Sequence, residues 1–447
     1  TYAGAFFGKA EGTKAVFTME NCYAGADVEV KGSNRQGGLI GSVSNSTENV
    51  TINNCYFIGT LSGTGTNKGG LIGYISDTAV TSTFSVKNSY AATTNTDPVV
   101  STQSVAQYVT YSNVYGTTAG HASATGITVL TKDQMTGEAA KTNMSGLNFV
   151  LAWKTVENGT PRLATVAERS AMVWDGTTAT SFAGGEGTKE SPYLISNGAQ
   201  LHKMAISGAA ATKGKYYKIT EDIYLNNVDD SNWKSKSPRA WSSSAFCGHL
   251  DGDGHVIYGV NCVNETGWSA LIVNTYCGDT TITAQNPVSI KNLGIENSYF
   301  EGMYAGAILG KPDGATYAHF TMENCYAGAD VEVKGSKRSG GLISTTAKRN
   351  IVINNCYFTG KLSGEASQGK GGLIGLASYS KDTHAATTYI ADSFAITPDN
   401  DPVVSTYDHA KKIRYTNVYG TAGGHAEATG ITVLTKEQMT GEAAKTN

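Results

Sequence analysis

A 17-residue stretch, Phe17 to Ser33 (FTMENCYAGADVEVKGS), recurs unchanged at Phe320 to Ser336, 303 residues later. The match continues through NNCYF at Asn53 and Asn354, DPVVST at Asp97 and Asp401, NVYGT at Asn113 and Asn417, and GITVLTK at Gly126 and Gly430. It closes with QMTGEAAKTN at Gln134 and Gln438. A 447-residue chain that repeats on this scale is built from modules of about 303 residues. Thr1 corresponds to Met303 and Asn447 to Asn143, while residues 144–302 occur once. The sequence therefore reads as a window onto a tandem array or, more plainly, as a fragment of a larger protein. The expected division is 1–165, the C-terminal part of a first module, and 166–447, most of a second, near-identical one.

A shorter period sits inside the long one. GKAEG, GGLIG and GGLIG place Gly8, Gly41 and Gly73 at spacings of 33 and 32, with Gly310, Ser344 and Gly375 as counterparts. A second ladder runs in step: Asn21-Cys22-Tyr23, Asn54-Cys55-Tyr56, Asn88-Ser89-Tyr90 and Asn113-Val114-Tyr115. Its counterparts are Asn324-Cys325-Tyr326, Asn355-Cys356-Tyr357, Asp392-Ser393-Phe394 and Asn417-Val418-Tyr419, and Asn297-Ser298-Tyr299 reads as one more rung. A period of 25 to 37 residues is the range of solenoids.

The rungs have strand character. Val28, Val30, Ile40, Ile52 and Phe57 are β-branched or aromatic and are flanked by Gly, Asn and Ser. In Asp27-Val28-Glu29-Val30 carboxylates alternate with valines, which puts valines inward, Cys22 and Cys55 inside, and the tyrosines outside. Strands one coil apart must be parallel, so coils stack at ~4.8 Å with like residue above like. The predicted class is all-β, a parallel β-solenoid. Asn at a corner is expected in the left-handed conformation, bonded to the Asn above it. The glycines of GGLIG are expected to permit tight corners.

Further elements are expected at Ser191–Ser196 (a first strand), Ala199–Ile206 (a short capping helix), Tyr217–Leu225 and Cys247–Val260 (strands with a DGDG turn). Lys132 to Lys141 is the best other helical stretch. Trp153 and Trp174 are candidate end caps, with Thr165 to Met172 as a linker.

GGLIG after NCY, LDGDGHVIYGV, and WDGTTATSFAGGEGTKESPYLIS together resemble the GLUG-motif β-helix proteins of bacterial cell surfaces and secretions. FVLAWKTVENGTPRL is similar to the terminal segment of such domains. The resemblance covers nearly the whole chain. It implies a right-handed parallel β-helix and an extracellular location, and no particular chemistry. The second copy departs at GGLIS, where Ser344 replaces the last glycine.

The chemistry-bearing residues are sparse. Charged residues make up 16% of the chain and the net charge is −3, so no basic face suits nucleic acid. No apolar run approaches the length of a membrane span, and no signal or anchor motif stands at either end. Asp27, Glu29 and Lys31, with Asp330, Glu332 and Lys334, are the nearest approach to the acid clusters of β-helix lyases, and read as a solvated outer face. Asp251 and Asp253 lack the distal Glu of a calcium loop and read as a tight turn. His255, His121 and His425 have no nucleophile signature beside them. No catalytic residue, cofactor or metal is assigned. The cysteines are expected to be reduced, small and buried. Ranks of Thr-x-Thr suited to ice do not recur in register.

The candidate contact surface is the outward aromatic column: Tyr23, Tyr56, Tyr90 and Tyr115, then Tyr299, Tyr326, Tyr357 and Tyr419. Such a column can stack on sugar rings or bury itself against a neighbouring fibre; strand propensity and cross-strand stacking account for it equally. The leading expectation is a non-catalytic structural or adhesive fibre at the bacterial cell surface. Its partners would be copies of itself or glycans on a host or neighbouring cell. A carbohydrate-binding or carbohydrate-cleaving β-helix module is the alternative.

Overall fold

The computed structural model describes residues 2–10, 15–43, 47–75, 83–101, 109–118, 126–229, 233–234, 241–277, 283–312, 319–346, 350–378, 387–408, 413–422, 430–441 and 444. His121 and His425 lie outside the described residues. The chain forms two compact units, Thr1–Arg169 and Ser170–Asn447. Both are mostly β, with parallel sheets.

In the second unit, strands Val288–Lys291, His319–Glu323, Asn350–Asn354, Thr388–Ala395 and Ile413–Gly420 lie side by side, each parallel to the next. Their register aligns Ile290, Met322, Ile353 and Ile390 in one column, all buried. The alternate column of Ser289, Thr321, Val352 and Tyr389 faces outward, with Val352 and Tyr389 exposed. Strand periodicity of two therefore sorts side chains into core and surface. The chain next visits a second sheet, where Phe300, Val333 and Leu362 align, and then a third, where Leu309, Ile343, Ile374 and Val404 align. All seven are fully buried. Each such side chain contributes about 1.5–3 kcal/mol relative to exposure.

The first unit repeats the plan. Met19, Ile52 and Val86 align in one sheet, Val30 pairs with Leu61 in another, and Ile40, Ile72 and Val100 bridge along a third line.

Two small devices turn the corners. Asn21, Asn54, Asn88, Asn113, Asn324, Asn355 and Asn417 all have φ between 46° and 54°, and Asp392 has 47°. Their amides form a ladder as expected: Asn355 donates to Asn324 and Asn324 to Asn292, each at 2.8 Å, and Asn417 donates to Asp392 at 2.8 Å. The next residue, Cys, Ser or Val, points inward. Ser89 accepts from the backbone N–H of Cys55, and Ser393 from that of Cys356, each at 3.0 Å, while each hydroxyl donates to the carbonyl two residues before it. A small side chain that both accepts and donates satisfies buried backbone groups of two successive repeats.

The glycines work differently from the expectation. In GGLIG the first two glycines do not have left-handed φ. A Cβ on Gly340 would lie 1.8 Å from the carbonyl oxygen of Ile343, and one on Gly341 would lie 1.9 Å from that of Gly372. Close backbone approach, within a repeat and to the next, is what requires them. Ser344 is fully buried, and its hydroxyl has no hydrogen-bond partner among the described residues.

The ends are capped by helix and aromatic rings. Helix Gly198–Ile206 is capped by Asn197, which accepts from the Gln200 N–H, and it buries Leu201, Met204 and Ala205. Trp174 joins the same core, 5.8 Å edge-on from Trp241. Thr165 to Met172, expected as a linker, instead contains helix Val166–Met172. Thr165 and Glu168 form a reciprocal capping box, and Arg162 grips Glu168 at 2.8 and 2.9 Å. These contacts hold Glu168 well below the usual carboxylate range, the Arg162 hydrogen bond acting most strongly. Lys132 to Lys141 yields only a 3-10 turn at Asp133–Met135 and the start of helix Ala139–Asn143.

Candidate functional site

The corner Asn places the residue two positions on at the start of a strand pointing away from the core, so one tyrosine follows each corner. In the first unit Tyr23 stacks on Tyr56 at 4.9 Å and Tyr56 on Tyr90 at 5.2 Å, with planes 10° and 1° apart. In the second, Tyr326 stacks on Tyr357 at 4.8 Å and Tyr357 on Phe394 at 4.9 Å, again 10° and 1° apart. The in-register sheet sets the spacing.

Exposure corrects the expectation for three residues. Tyr23 is exposed at 55%, but Tyr56, Tyr90 and Tyr115 are buried, at 5%, 0% and 5%. The segment running from Leu130 through the antiparallel hairpin Trp153–Val156 and Gly159–Leu163 covers them. Trp153 lies 5.7 Å from Tyr56 and 5.6 Å from Tyr90. The Tyr90 hydroxyl donates to the Pro161 carbonyl, and that of Tyr115 accepts from the Gly146 N–H at 2.9 Å. Met135, Met144, Leu147 and Leu163 complete the cluster. Burial pushes the Tyr56 phenol up to about 12, assisted by Tyr23 and opposed by Arg162. Burial also raises Tyr90 and Tyr115.

In the second unit Tyr326, Tyr357, Phe394 and Tyr419 are half-buried. Tyr299 does not belong to their column. It pairs with Glu332 in another sheet, and its hydroxyl donates to Glu301 at 2.7 Å. The rung beneath Tyr326 is Asn292-Leu293-Gly294, and the Tyr326 ring covers Gly294 so closely that a Cβ there would lie 2.7 Å from it. Asn297-Ser298 makes the same left-handed corner and the same Ser bond, but leads into a different sheet.

Glu296 is the group the sequence did not flag. It adjoins Tyr326, with which it shares a hydrogen bond, and its carboxyl is pushed up by burial first and by the charge of Asp330 second. Nothing in the local motif distinguishes it, because its burial comes from residues distant in sequence, Tyr326 and Gly328 among them.

Five of the remaining candidate polar groups are engaged by neighbouring strands or turns. Glu332 accepts from Ser363 at 2.8 Å, and Lys334 pairs with Glu301 at 2.7 Å. Asp251 accepts from the Asp253 N–H, from Asn292 and from Lys291, each at 2.9 Å, and Asp253 has φ of 52°, so the DGDG segment is a tied turn. His255 lies 3.3 Å from Asp222.

The thiols required one correction. Cys247 and Cys277 form a disulfide, with Cα atoms 5.5 Å apart across 30 residues, whereas Cys22, Cys55, Cys262, Cys325 and Cys356 are free. The bonded pair stands outside the corner ladder, where parallel stacking does not constrain both side chains to one direction. In the ladder, the Cys22 thiol donates to the Glu20 carbonyl and the Cys55 thiol to the Asn53 carbonyl, each at 3.2 Å. The neighbouring Cys22 thiol and burial both raise Cys55.

No protein-family model matches the chain. Over 204 residues it is 29% identical to Halomucin of Haloquadratum walsbyi, a match spanning 44% of this chain and 2% of that protein. Over 136 residues it is 30% identical to a protein of Evansella cellulosilytica provisionally named a Gly-rich membrane protein, spanning 30% of this chain and 14% of that one. The chain thus covers a small part of either relative. A solved Bacteroides ovatus structure, provisionally named an immunoglobulin A1 protease, aligns at 18% identity over 53% of this chain and 77% of its own, with a TM-score of 0.31. A likeness that slight carries no argument. No described helix is long and apolar enough to cross a membrane.

Proposed function

We propose that the chain is part of a surface-associated, non-catalytic structural or adhesive protein, built from right-handed parallel β-helix modules of the GLUG-motif type. The chain's passage through three sheets in turn, with strands one repeat apart paired in register, supports the coil reading. The relatives named for a mucin and for a membrane support a place at the cell surface.

One observation carries the structural role: in the first unit Tyr56, Tyr90 and Tyr115 of the aromatic column are buried under the chain's own closing hairpin. A column used this way is a packing surface for polypeptide rather than a platform for sugars. The engagement of Glu332 and Lys334 with Ser363 and Glu301 on neighbouring coils supports an outer face without catalytic duty.

The test is a glycan array run beside a reducing-sugar release assay. The expected result is no turnover and no glycan retained through Tyr326 and Tyr357. Turnover lost in Asp330→Asn, or glycan binding lost in Tyr326→Ala and Tyr357→Ala, would replace this reading with a carbohydrate-active one.

A further inference from the structure

The two units present the same column in two settings. In the first unit Tyr90, Tyr115, Leu130 and Met135 are buried together with Met144, Leu147, Trp153 and Leu163. In the second, the corresponding Phe394, Tyr419, Leu434 and Met439 line an open groove of about 530 Å³, joined by Gln438 and Ala444. All four are half-buried rather than buried. The rings beneath already stack with planes 1° apart in both units, so the platform is preformed.

We infer that the groove over Phe394 and Tyr419 is a docking site for a polypeptide segment with the chemistry of residues 144–164. An indole seats on the paired rings, and a backbone N–H reaches the Tyr419 hydroxyl as Gly146 reaches Tyr115. This rests on reading the columns as packing surfaces. One contact differs: Phe394 lacks the hydroxyl by which Tyr90 donates to the Pro161 carbonyl. The second unit thus recognises the segment through one hydrogen bond fewer.

The test is fluorescence anisotropy of a labelled synthetic peptide of residues 144–164 titrated with the full chain. The matching positions of the first unit, Tyr90 and Tyr115, are covered, so saturable binding with one site per chain is expected. A peptide with Trp153→Ala should bind at least about tenfold more weakly. Phe394→Tyr in the chain should tighten binding about two- to tenfold by restoring the missing donor. A role in folding alone would not produce that gain.

A second variant carries residues 144–164 appended after Asn447. Its second unit should melt at a higher temperature, with the added tryptophan shielded from quencher. Absence of peptide binding together with an unshielded tryptophan in the appended variant would overturn the proposal, as would binding indifferent to Phe394 and Tyr419. Concentration-dependent self-association abolished by Tyr419→Ala would instead assign the groove to a second copy. Retention of a glycan by Tyr326 and Tyr357 would overturn the packing reading itself, which the peptide titration does not measure.

Discussion

The indole of Trp153 lies 5.6 Å from the ring of Tyr90, tilted by 52°, and closes the aromatic column of the first unit. Both side chains are fully buried. A buried indole seated on two stacked phenols is an anchor in the sense that truncating it opens a cavity over the column. Trp153→Ala should cost the first unit about 3–5 kcal/mol. Urea unfolding followed by near-ultraviolet circular dichroism measures this; a loss below about 1 kcal/mol would show that the hairpin does not depend on the ring.

Glu296 supplies a pH dependence of defined sign. Its folded pKa is raised by burial and by Asp330, so ionisation opposes folding. The penalty is absent below the unfolded carboxylate pKa, develops as pH rises, and is complete above the raised folded value. Glu296→Gln keeps an acceptor for the Tyr326 hydroxyl without the charge. Its second unit should melt above the wild type at neutral pH, with the difference vanishing in acid. Equal melting at both pH values would remove the claim.

The corner asparagines separate two contributions. Asn355 holds φ at 50° and donates to Asn324 at 2.8 Å. Asn355→Gly keeps the backbone conformation and loses the ladder bond, whereas Asn355→Ala loses both. The alanine variant should be less stable than the glycine variant by roughly 1 kcal/mol. Thermal unfolding of the pair decides it, and the reverse order would mean the left-handed corner is not maintained.

Cys22 should be the most reactive of the free thiols. It is partly exposed, whereas Cys55, Cys262, Cys325 and Cys356 are buried, and burial raises Cys262 and Cys325. Alkylation of the folded chain followed by mass spectrometry should modify Cys22 first, with the buried thiols reacting only on unfolding. Preferential labelling of Cys325 would contradict the assignment.

Strands, inward columns and corner asparagines were legible because each follows from a few adjacent residues. Asn-Cys-Tyr encodes a left-handed corner, a small inward side chain and an outward ring in three positions. What was not legible depends on distant chain. Tyr299 follows an equally good corner, yet its strand enters another sheet, and only pairing with Glu332 reveals that. Tyr56, Tyr90 and Tyr115 do leave the core as the alternation requires. Their burial comes from a hairpin up to about a hundred residues downstream, which the local motif cannot encode. Cys247 and Cys277 share no rung motif with the other thiols, and their proximity emerges only once the strands between them are paired.

The two units supply an internal control for the claim that these columns are surfaces for polypeptide. Nitration of the native chain with tetranitromethane, mapped by mass spectrometry, compares tyrosines of matching sequence in covered and open settings. Tyr326, Tyr357 and Tyr419 should be modified, while Tyr56, Tyr90 and Tyr115 stay protected until Trp153 is replaced by alanine. Modification of Tyr56 and Tyr90 as readily as Tyr357 in the unaltered chain would contradict the account.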